Sequence, residues 1–108
     1  MIDWTDELIA RVGSFSRAAL SYTGVDGYPV ALPAPFTFDP TQHHFTLPKP
    51  PHRPGIARPD HASLTLVGYT PAQGGRTPYL VFQGQLAEEG DAWLFTPSRV
   101  VLSQWGRR

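Results

Sequence analysis

The residues best suited to chemistry in this 108-residue chain lie in one short stretch. Thr46 is followed by Lys49, His52, Arg53 and Arg58. A hydroxyl with ammonium and guanidinium donors within a short reach is a reasonable phosphate clamp. The same charges would also serve simply to solvate an exposed loop. Other chemistries have less to work with. There is no cysteine, which removes disulfides, thiolate metal sites and thiol nucleophiles together. His43 and His44 are neighbours, so on a strand they point to opposite faces and cannot share a metal. None of the serines sits in a G-x-S-x-G elbow, and the acids fall mainly in a first helical turn and in turns. A bound cofactor would supply reactivity that these side chains do not offer. GxGxxG and GxxxxGK[ST] segments are absent, so a phosphate would be held by the basic loop.

The loop itself is shaped by proline. Residues 48–60 hold five of the 12 prolines, too many for a regular helix or strand. Proline at about twice its usual share, beside 10 glycines, argues against a helical bundle. Nine basic and nine acidic side chains cancel, so no net field draws nucleic acid or anionic lipid. The start, Met1-Ile2-Asp3-Trp4-Thr5-Asp6-Glu7, is acidic where a leader would be basic, and apolar runs are far shorter than a membrane span. The expectation is one soluble, cytoplasmic domain over residues 1–108.

The elements that must position the loop follow from periodicity. Trp4, Leu8, Val12 and Phe15 form a helical stripe, with Asp3 as N-cap and Gly13-Ser14 as the end. From Arg17 the period becomes two. A first strand runs to Val25, and Asp26-Gly27 predicts a two-residue hairpin loop pairing Val25 with Tyr28. The second strand puts Val30, Leu32, Ala34, Phe36 and Phe38 on one face and Pro29, Pro33 and Pro35 on the other. All three prolines are at odd positions, so their missing donors face away from the first strand, and the sheet is expected to stay unzipped there. Further strands are expected at 43–47, 61–70, 77–87 and 91–96, with a turn at Glu88-Glu89-Gly90. The tail from Pro97 reads equally as a short helix or a strand, and Trp105 in it could pack in a core or interface or stack on a ligand.

One helix and six strands make a small barrel or sandwich. The order of elements, with Asp26-Gly27, Pro29-Val30-Ala31-Leu32-Pro33, a strand ending in Thr46 and the run Tyr79–Ala87 (YLVFQGQLA), resembles the FMN-binding split barrel family, the pyridoxamine phosphate oxidase-like proteins. The resemblance covers roughly residues 15–97. It implies a mainly β fold, a six-stranded Greek-key split barrel with one N-terminal helix, and a homodimer. It also implies FMN in a groove between subunits, with a deazaflavin or haem as less favoured occupants. By position, Thr46, Lys49 and Arg58 would hold the phosphate, Leu32, Pro33 and Ala34 would lie along the flavin ring, and Trp105 would reach in from the partner. These roles imply an FMN-dependent oxidoreductase of unknown substrate. A cofactor-free dimeric binding or scaffold module on the same barrel is the alternative.

Overall fold

Thr5, rather than Asp3, caps the helix: its hydroxyl accepts from the Leu8 N–H at 3.1 Å, and α1 runs Asp6–Gly13. Asp3 lies two residues before the cap, and its carbonyl accepts from the Thr5 N–H at 2.9 Å. Asp6 and Glu7 occupy the first turn, where the helix dipole favours them. The computed structural model describes residues 2–15, 17–49, 55–67 and 79–104.

The seven strands are β1 (Arg17–Thr23), β2 (Pro29–Pro33), β3 (Thr37–Asp39), β4 (His44–Pro48), β5 (Ala62–Val67), β6 (Tyr79–Glu89) and β7 (Ala92–Gln104). They form one antiparallel sheet in the order β2-β1-β5-β6-β7-β4-β3. The count exceeds the expected six because the proline-bearing second strand is cut in two at Ala34–Phe36. Its halves lie at opposite edges of the sheet. Laid flat, seven strands would hold those edges roughly 29 Å apart. Yet Pro33 and Thr37 are four residues apart and can be separated by at most about 14 Å. The sheet must therefore curl into a half-barrel, with its edges tied by the chain and, among the described residues, not paired to each other.

The β1–β2 loop is one residue longer than expected. Gly24 donates to the Tyr28 carbonyl at 2.9 Å, so the loop is Val25-Asp26-Gly27. Gly27 takes φ 87°, a left-handed turn open to glycine, and Asp26 accepts from the Tyr28 N–H at 3.1 Å. Pairing Gly24 with Tyr28 still leaves the even positions of β2 facing β1, as the Ala34 N–H bond to Ala18 at 2.8 Å shows. Pro29, Pro33 and Pro35 thus face away from β1. Among the described residues β2 pairs with β1 alone, so the expected gap lies at this edge.

Three other boundaries move. Glu88 and Glu89 belong to β6, and the turn is Gly90-Asp91 with Gly90 at φ 61°. The ambiguous tail is strand as far as Gln104. His43 is not on a strand: it sits in the turn at φ 61°, and only His44 enters β4. Within the proline-rich connection, Ile56 bridges to Gly24, with Val25 donating to the Gly55 carbonyl at 3.0 Å and Ala57 to the Thr23 carbonyl at 2.9 Å.

Alternation sends one side of every strand inward. Leu20, Leu64, Leu80, Phe82, Phe45 and Phe95 are completely buried, and each contributes about 1.5–3 kcal/mol of apolar burial. The helix adds Val12, and Phe15 follows it into the same core. Trp4 packs its ring against Phe38 and Phe82 at centroid distances of 5.5 and 5.7 Å, and against His43 at 4.7 Å. Among the described residues no helix is long and apolar enough to cross a membrane.

Candidate functional site

The positions expected to lie along a planar ring sit at the open β2 edge. Leu32 and Ala34 are buried and turn inward, while Pro33 is exposed. A groove of about 390 Å³ runs beside them, lined by Arg17, Ala18, Ala19, Ala31, Leu32, Pro33 and Val67. A second depression of about 220 Å³ shares Arg17, Ala18 and Pro33 and extends to Ala34 and Pro35. The larger of the two lies over the outer face of β1 between β2 and β5, apolar apart from Arg17. The chemistry of the β2 edge beside it follows from the prolines. Of the odd positions 29, 31, 33 and 35, only Ala31 keeps a backbone N–H, while all four keep a carbonyl. The edge is rich in acceptors and poor in donors.

The expected phosphate residues are distributed differently. Thr46 stands between Thr37 on β3 and Leu94 on β7, with its side chain exposed on the outer face. Because Thr37 is four residues from Pro33, the hydroxyl and the β2 ledge flank the same seam. Lys49 lies just past β4, and its Nζ is 2.7 Å from Glu88 Oε1 on β6. Its backbone N–H donates to the Asp91 carbonyl at 3.3 Å. Arg58 is exposed, with a guanidinium nitrogen 3.4 Å from His61 Nε2. The next residue, Pro59, accepts from the Leu86 N–H at 2.7 Å. Lys49 and Arg58 are therefore both tied to the Leu86–Glu88 end of β6, but neither lines the groove at β2. Trp105, together with His52 and Arg53, lies outside the described residues.

Sequence reasoning missed two contributors. Arg17 reaches the groove because β1 alternates, placing it with Ala19 on the outer face. Glu88 meets Lys49 from 39 residues away. The first was signalled by the period-two pattern from Arg17; the second had no local signal. Among the described residues no group of three His, Asp or Glu side chains gathers to hold a metal. A scan against protein-family models finds no match, and a search of curated proteins finds no significant similarity.

Proposed function

We propose that the chain is a flavin-binding, oxidoreductase-like protein that works as a homodimer on a split-barrel variant of this half-barrel, with FMN as its cofactor. The observation that carries this reading is an apolar groove of about 390 Å³ over the outer face of β2, β1 and β5, beside an edge that proline has stripped of donors. A planar aromatic ring suits such a surface, since it buries apolar area without requiring a continued ladder. Thr46 across the seam is placed to accept or donate at a polar side chain of the ligand. By the resemblance Lys49 and Arg58 are the cations for the phosphate, although neither lines the groove itself. The Glu88 partner does not lock Lys49: both groups are partly exposed, and such a pair holds only ~0.2–1 kcal/mol. A phosphate dianion competes with Glu88 for Lys49 through a charge-assisted contact. When bound, FMN supplies hydride and electron transfer; the chain's own residues bind and orient it.

The test is a titration with FMN followed by the visible spectrum and flavin fluorescence, on the protein as purified and on K49A and R58A. Binding with Kd below about 1 mM, weakened roughly tenfold by each substitution, is expected. No yellow chromophore and no affinity at that level overturns the reading. The rival, a cofactor-free dimeric module, is favoured by one observation, the Lys49–Glu88 pair that already neutralises the expected phosphate cation. It requires that FMN leave Tm unchanged in all three proteins. Light scattering bears on both, since each requires a species of two chains.

A further inference from the structure

We propose that the outer face of β5, β6 and β7 carries a second ligand site, for the phosphate group of a small hydroxylated phosphomonoester. The site is a cavity of about 520 Å³ lined by Asp60, His61, Ser63, Gln83, Ser98 and Arg99, with the backbone of Ala62 and Gly84 beneath. None of these residues serves the flavin reading.

The sheet builds it by register. Ser63 pairs with Gln83, and Gln83 with Arg99, so a hydroxyl, an amide and a guanidinium stand in one cross-strand row. A bulge then adds a fourth group. Gln83 opposes Arg99 while Gly84 opposes Pro97, leaving Ser98 as the extra residue on β7. Its Oγ donates to the Gln83 carbonyl at 3.2 Å. Two successive β7 residues, Ser98 and Arg99, thereby line the same cavity, which an unbulged strand would forbid. The bulge is held in place by close backbone approach. A Cβ on Gly84 would collide with the Thr96 carbonyl oxygen and stand 2.7 Å from Pro97 Cα.

The donor set selects the ligand. Arg99 makes no ion pair among the described residues, so its five-donor fork is not committed to a carboxylate. The Ser98 hydroxyl is already donated to the Gln83 carbonyl, but with the Ser63 hydroxyl, the Gln83 amide and the His61 ring the cavity still offers more donors than a planar carboxylate can use and suits a tetrahedral dianion. Asp60 lies 3.7 Å from His61 and Arg58 lies 3.4 Å from the same ring. Asp60 repels an anion at its end, which directs the phosphate to Arg99 and leaves a carboxylate acceptor for ligand hydroxyls. A neighbouring depression of about 250 Å³ shares His61 and Ser63 and adds Ser21 and Thr23, extending the hydroxyl-lined floor for the carbon skeleton.

The test uses glycerol 3-phosphate, glycerol and acetate as probes of the full chain, followed by amide chemical shifts and Tm. Saturable shifts at Ser63, Gln83 and Arg99 with glycerol 3-phosphate, absent with glycerol and acetate, are expected. R99Q should weaken binding roughly tenfold or more at unchanged fold, judged by its own amide spectrum. K49A should leave this binding unchanged, which separates the site from Lys49 of the flavin clamp, whose other cation, Arg58, touches His61. The proposal is overturned by equal binding of acetate, by R99Q binding as tightly as the parent, or by no saturable shift below about 10 mM.

Discussion

All eleven residues of β6 find partners on β7, whereas the chain from Pro29 to Asp39 serves two different neighbours with a break in the ladder after Ala34. Both regions bend the sheet. In the first, β7 spends two extra residues, Ser98 and Val101, and the ladder continues around them. In the second, prolines remove donors and the ladder stops. An inserted residue curves a sheet while keeping its hydrogen bonds and re-aims polar side chains outward. A removed donor curves it by leaving an edge, and what remains there is apolar surface and carbonyls. That contrast is why the polar cavity lies over β5–β7 and the apolar groove along β2.

The contrast breaks most severely at Gly84. Replacing it with alanine puts a methyl group against backbone atoms of Thr96 and Pro97, which cannot swing aside as a side-chain end would. Overpacking of this kind costs about 2–3 kcal/mol, which at ~4–8 °C per kcal/mol lowers Tm by roughly 10–20 °C. Thermal unfolding followed by circular dichroism checks it. An unchanged Tm would mean that the β6–β7 approach is looser than described and that the bulge has no steric anchor.

Much of this architecture was legible in the residues. The parity of Pro29, Pro33 and Pro35 located the open edge even though the hairpin loop was expected to be one residue shorter. Shifting the first partner from Val25 to Gly24 changes the register on β1 but leaves Tyr28 in a bonded pair, so the direction of every group on β2 is unaffected. The inward set of Val30, Leu32, Ala34, Phe36 and Phe38 likewise holds, being buried or half-buried throughout. What local pattern did not carry was pairing at a distance. The cut after Pro33 is fixed by Thr37 finding Thr46, the fate of the tail by Tyr79 finding Gln104, and the partner of Lys49 by the end of a strand far along the chain. The row from Ser63 to Arg99 depends on three strands and a bulge, so no spacing in the sequence announces it.

The β2 edge yields a smaller and different effect. Restoring donors with Pro33→Val and Pro35→Val gives the edge two more outward N–H groups, which suits it to accept another strand. The fold itself should lose only about 0.8–2 kcal/mol for the two prolines together, through the freer unfolded chain. Association should rise instead, as a concentration-dependent population of species larger than the parent's in sedimentation velocity. An unaltered distribution would show that the prolines curve the sheet without guarding its edge.

The smallest effect belongs to Asp39, where β3 turns into β4. Its carboxyl is held below the usual range, first by the Gln42 N–H at 3.0 Å, then by the Thr41 N–H at 2.8 Å to the same oxygen, with lesser help from His44 and His43. A carboxylate with a lowered folded pKa stabilises the fold above its unfolded pKa, and that contribution disappears as pH falls through the lowered value. Asp39→Ala should therefore lower Tm at neutral pH, and parent and variant should converge once the pH has fallen below the lowered value and the parent's carboxyl is protonated. A Tm difference that persists unchanged at that pH would mean that Asp39 shapes this turn through packing alone. The β3–β4 connection would then resemble the bulged ladder, held by backbone geometry, more than the proline edge it adjoins.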